Sequence, residues 1–232
     1  MCIVSIRHLL ITIVLLAAAL PARANETYLS GFEAANPHLR MAISYLRTGN
    51  SDLAAIEIET FQAKWTPLDD RLPAGRLKST VKTVAAAAKS ALDSVDSGKL
   101  DEARKTLLDA RQKLYEANKT ENLSPFADCI WGAIKTGYPL WSYRDPAPDL
   151  KDPAIAKKII SINNAYLDAL RGCRKIAPKD VAEDSEYTRL MDNADNSLSA
   201  IPGSINAGDG GQLYRYLIEL RSIDRLLYFR FG

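Results

Sequence analysis

Residues 76–118 read RLKSTVKTVAAAAKSALDSVDSGKLDEARKTLLDARQKLYEAN, and this stretch decides the fold. Apolar and small side chains return at every third or fourth position on both sides of Ser97-Gly98-Lys99, which is the period of a helix with one buried face. Gly98 stands where a helix must end in a left-handed conformation that glycine adopts without strain. Asp101 then places a negative charge in the first turn of the following helix, where the helix dipole favours it. The stretch is therefore an antiparallel helical hairpin, with helices over 76–97 and 100–118.

Working outward, the same punctuation recurs at Thr48-Gly49-Asn50 and Ala207-Gly208-Asp209. Helical periodicity predicts further helices over 36–48, 51–66, 124–137, 153–175, 184–206 and 210–230, and no strand-like alternation of useful length intervenes. Pro202 is expected to kink or end the helix over 184–206. Gly208-Asp-Gly-Gly211 follows a helix rather than a strand, so it reads as a turn and not as a phosphate loop. The fold class is all-α: antiparallel helical hairpins forming one large or two tandem four-helix bundles. The longest irregular stretch, Tyr138 to Pro153, carries four prolines together with Tyr138, Trp141, Tyr143 and Arg144. It is either a recognition loop or a cap on the end of the core.

The beginning of the chain has a different character. Arg7 and His8 precede an apolar run from Leu9 to Leu20, and Pro21-Ala22-Arg23-Ala24 ends in small-x-small. That is the layout of a secretory signal cleaved after Ala24. The run is shorter than the roughly 20 residues of a membrane span. Cys2 precedes the run rather than following it, so no lipid-bearing cysteine is expected. The expected organisation is a signal over 1–24, N-terminal hairpins over 25–122 and a C-terminal helical part over 123–232. After cleavage no transmembrane span is expected, and the alanine-rich leader favours a bacterial periplasm. The triplets at Asn25, Asn118 and Asn122 match glycosylation acceptors, but such triplets arise often by chance.

The whole chain has 30 basic and 28 acidic residues. Cleavage removes Arg7 and Arg23 and no acid, so the remainder is balanced. That argues against a general electrostatic grip on nucleic acid. Cys2 leaves with the leader, and Cys129 and Cys173 remain. An even pair in an exported chain reads first as a disulfide, with a metal pair or a reactive thiol as the alternatives. Both thiols fall on inward stripes, as a clip between neighbouring helices requires.

Two resemblances follow from these patterns. Gly98, Leu100, Ala103, Leu107 and Ala110 are similar to the hairpin of tetratricopeptide repeats, over about 20 residues. The closing proline and the period of about 34 residues are missing. At the level of architecture, an exported, alanine-rich chain of long antiparallel helices resembles the periplasmic four-helix bundles of the cytochrome c-prime type. Covalent haem needs C-x-x-C-H. Here Cys129 is followed by Ile130-Trp131-Gly132 and Cys173 by Arg174-Lys175-Ile176, so attached haem is excluded.

Candidate site residues are few. On the last helix Asp224 falls in the middle of the stripe Leu213, Leu217, Leu220, Leu227 and Phe231. A carboxylate there must be neutralised, paired or bound to a cation. Arg111, with Arg104 beside it, lies on the face of Leu100, Ala103, Leu107 and Leu114. Asp224, Arg111 and Arg104 are thus the candidate internal polar site, either an ion pair or a ligand pocket. His38, Met41, Glu57 and Asp224 are the candidate metal or haem b ligands, although His38 and Met41 diverge by about 60° on the helical wheel. No nucleophile–base pair, zinc-protease motif or phosphate loop is present. The expected function is non-enzymatic: an exported binding module for a protein partner or a small ligand. The alternative is a periplasmic bundle that binds haem or a metal.

Overall fold

The computed structural model describes residues 5–232, with side chains from residue 23 onward. The signal over 1–24, including Cys2, falls almost wholly outside the described side chains. The described chain is helical, with no strand among the described residues. It divides into two compact units, the first ending at residue 123 and the second covering 124–232.

The first unit contains α1 (Ser5–Arg47), α2 (Ser51–Trp65), the single turn α3 (Leu68–Arg71), α4 (Arg76–Asp96) and α5 (Leu100–Thr120). α1 packs on α2 and α5, and α4 packs on the same two, which closes a four-helix ring. The periodicity reading started the first helix at residue 36; the helix in fact runs continuously through Pro37. The reason lies in what precedes the proline. Tyr28, Phe32 and Ala35 continue the stripe of Leu39, Ala42 and Leu46 backwards into the core, all buried. Pro37 has no N–H for the carbonyl of Glu33 and costs about 3 kcal/mol inside a helix. Burying two aromatic side chains contributes about that much or more.

The aromatic centre of this unit is Trp65. Its indole N–H donates to the carbonyl of Val81 at 3.0 Å. Its ring stacks on Phe61 at 5.5 Å and meets the edge of Tyr28 at 5.9 Å. The hydrogen bond disposes of the one polar atom that burial would otherwise strand.

The second unit contains α6 (Phe126–Gly137), α7 (Pro153–Lys175), the single turn α8 (Lys179–Ala182), α9 (Ser185–Asn206) and α10 (Gly210–Phe231). Its ring closes in the order α6, α7, α9, α10. Cys129 on α6 and Cys173 on α7 form a disulfide with a Cα separation of 5.6 Å, inside the range such a bond needs. The stretch read as an irregular connector begins as a 3-10 helix over Tyr138–Tyr143. Leu140 enters the core, and Trp141 and Tyr143 pack against it, so these residues cap the end of the bundle.

The helix ends repeat one device. Gly49, Gly98 and Gly208 adopt φ of 76°, 73° and 66°. At each, the next residue's N–H reaches back five residues to a carbonyl: Asn50 to Tyr45, Lys99 to Ser94, Asp209 to Ser204. This double closure satisfies carbonyls that a helix end leaves bare. Asn122 (φ 55°) does the same work without glycine, with Leu123 donating to Asn118. Asn50 and Asp209 then serve twice, because their side chains accept from Leu53 and Gln212 and so start the next helix.

α9 does not end at Pro202 but continues to Asn206. Proline cannot donate to the carbonyl of Leu198, four residues back. The amide of Asn163 on α7 donates to that carbonyl instead, at 3.0 Å. A side chain from the neighbouring helix replaces the lost helical bond.

Candidate functional site

Asp224 sits within the second bundle, buried, on the inward stripe of α10. The hydroxyl of Tyr166 on α7 donates to its Oδ1. The other oxygen, Oδ2, is buried and meets no hydrogen-bond partner among the described residues. Burial pushes the carboxyl up to about 7, partly offset by the Tyr166 hydrogen bond. Burial, followed by the charge of Asp224, pushes the Tyr166 hydroxyl well above its ordinary range. The tyrosine ring has room to lie here because α6 presents Gly137: a Cβ at that position would come within 2.6 Å of the ring.

Arg111 is fully buried, with its guanidinium 5.6 Å from the centre of the Phe32 ring. Arg104, about two turns earlier on α5, is half-buried. Asp224, Arg111 and Arg104, grouped by the sequence as a candidate internal polar site, are divided between the two units. Both arginines belong to the first unit and Asp224 to the second. Periodicity placed each residue on an inward face but carried no information about which core that face enters. The group that meets Asp224 is the neutral hydroxyl of Tyr166.

His38 and Glu57 do come together: Nδ1 of His38 stands 2.7 Å from Oε2 of Glu57, which ties α1 to α2 at a partly exposed position. Met41 is half-buried on α1. Glu57 and Asp224, both named as candidate metal ligands, lie in different units. Among the described residues, no group of three or more His, Cys, Asp or Glu is placed to hold a metal ion. A groove beside α1 is lined by Glu26, Ser30, Lys64 and Arg71, and Gly31 there lets Leu68 approach the helix backbone.

The outer faces supply what the interior does not. Leu53 and Ile56 on α2 and Tyr214, Ile218 and Leu226 on α10 stand exposed in the middle of regular helices, and Tyr138 is exposed at the start of the capping segment. Tyr138 belongs to the stretch read as a recognition loop or a cap, whereas Leu53, Ile56, Tyr214, Ile218 and Leu226 lie off the inward stripes that mark the core. Their signal was present all the same: apolar side chains at positions that the core stripe leaves outside.

No protein-family model matches the chain, and neither a curated protein nor a solved structure is significantly similar to it. Among the described residues no helix is long and apolar enough to cross a membrane.

Proposed function

We propose that the protein is an exported, non-enzymatic binding module that engages a partner through the outside of its helices. The observation that carries this reading is the exposure of Ile56, Leu53, Tyr214 and Ile218 within α2 and α10. A single exposed leucine needs no explanation. Large apolar side chains repeated along one helix face are what protein-binding surfaces use. Inside the bundles, the Trp65 indole N–H, the Asn163 amide N–H and Asp224 Oδ1 each meet a partner within their own unit.

Site-specific photo-crosslinking tests it. A crosslinking residue at Ile56 or Ile218 is expected to yield a covalent protein adduct, and one at the exposed Lys105 is not. Equal labelling at all three positions, or none at any, overturns the proposal.

The compartment we propose is the periplasm. The leader supports it, and the Cys129–Cys173 disulfide is compatible with an oxidising site of export. Protein recovered from the periplasm should begin at Asn25. Protein retained in the cytosol with its leader would contradict export.

The second reading, a haem- or metal-binding bundle, draws support from the His38–Glu57 contact. Elemental analysis and an absorption spectrum of the purified protein decide it. A stoichiometric metal or a Soret band establishes this reading, and a colourless, metal-free product removes it.

A further inference from the structure

The outer stripes of α2 and α10 match each other. On α2 the positions Asp52, Ile56, Glu59 and Ala63 recur at steps of four, three and four; all but the flanking small residue are acidic or large and apolar, and all face solvent. On α10 Tyr214, Ile218, Arg221 and Arg225 recur at the same steps. At about 100° per residue each set falls within about 60° of arc, the narrow seam along which two helices pack lengthwise. The apolar members are well exposed: Ile56 at 54%, Tyr214 at 49% and Ile218 at 41%.

The charges are opposite. The α2 seam holds two carboxylates and no cation, and the α10 seam holds two guanidinium groups and no carboxylate. Glu59 forms no ion pair among the described residues, and Asp52 is met only by the hydroxyl of Ser51, at 3.3 Å. Arg221 lies 5.8 Å from the centre of the Trp141 ring rather than on a carboxylate. Neighbouring Arg215 is held by the amide oxygen of Gln212. Each seam thus presents a charge that the other complements.

We infer that the partner of each seam is a second copy of this chain, with α2 of one molecule docked along α10 of the next. The inference rests on the surface-binding reading above and deepens it by naming the partner. Laid side by side from Asp52 and Tyr214, the equal steps bring Ile56 to Ile218 and Glu59 to Arg221. Exposed isoleucines are removed from water, and the rim charges select the pairing. Because the two faces differ, the contact is heterologous: each molecule offers one face of either kind, and association proceeds head to tail into a ring or an open filament.

Sedimentation velocity of the expressed full chain tests this. Wild type is expected to form larger species as concentration rises, and to dissociate towards monomer near 1 M salt, where the screening length falls to about 3 Å. Glu59→Arg, at an exposed position, and Arg221→Glu, at a partly buried one, should each be monomeric with unchanged helical circular dichroism. Their equimolar mixture should associate again, because every contact in it joins opposite charges. A wild type that stays monomeric at all concentrations overturns the inference. So does association unaffected by either substitution, or a mixture that fails to recover. The two proposals fail separately. A monomeric chain that still crosslinks another protein at Ile56 or Ile218 removes self-association and leaves the binding reading standing, whereas a monomer with no adduct removes both.

Discussion

Asp224 holds its carboxyl among apolar side chains, and the consequence is a pH dependence of stability with a definite sign. In the unfolded chain the group titrates near its ordinary 3.8, and in the fold burial raises it to about 7. Between those values the folded state keeps a proton that the unfolded state has released. The contribution of this group is therefore fully present below about pH 4, declines as pH rises, and levels off above about 7. About three pKa units correspond to roughly 4 kcal/mol. Urea unfolding from pH 4 to 8 should show that decline in wild type, and Asp224→Asn, which cannot ionise, should remove it. Parallel pH profiles for the two proteins would place the carboxyl in water. Gly137→Ala is a second test at this scale. Its added methyl meets the Tyr166 ring at a distance no real Cβ tolerates, so overpacking should cost about 1–3 kcal/mol in the same unfolding assay.

At the scale of the element, α9 survives an interior proline because α7 completes its hydrogen bonding. The Asn163 amide donates to the carbonyl of Leu198 that Pro202 leaves open. Asn163→Ala should strand that buried carbonyl and cost about 1–3 kcal/mol. Pro202→Ala restores a backbone donor at the same place, so in that background the loss from Asn163→Ala should be smaller. A double-mutant cycle that gives strictly additive effects would break the link. The helix ends are equally specific: Asn50 closes α1 with its backbone and opens α2 with its side chain, and Asp209 does the same between α9 and α10. Those two turns leave no free joint between the helices they connect.

At the scale of the whole molecule, each unit has its own ring of four helices and its own core. The disulfide lies wholly within the second unit and closes a loop across a separation of 44 residues. In the chain-entropy account such a loop contributes about 4 kcal/mol. Reduction should therefore lower the hydrogen-exchange protection of α6, α7, α9 and α10 while leaving that of α2, α4 and α5 unchanged. Loss of protection in both units together would show that they unfold as one. Thiol titration of the unfolded, unreduced chain should find neither Cys129 nor Cys173 free.

How much of this was legible beforehand varies with the kind of information required. The hairpin at Gly98, the turns at Gly49 and Gly208 and the pairing of Cys129 with Cys173 were all readable, because each depends on residues close in sequence or on a choice among very few partners. The early start of α1 was hidden by Pro37, whose local cost is visible in the sequence while the compensating burial of Tyr28 and Phe32 is not. The inward position of Asp224 and of Arg111 was readable from a helical wheel. Their separation into two cores was not.

The sequence by itself determined the helices, because a greasy face that returns every 3.6 residues and a left-handed residue at each turn are properties of neighbours along the chain. Only the tertiary structure decided that Tyr166 meets Asp224, that Asn163 repairs the break at Pro202, and that Ile56 and Ile218 are left facing water. Those outcomes depend on which helices lie beside one another. Many arrangements bury similar stripes, and the choice among them is made by packing contacts between residues far apart in the chain.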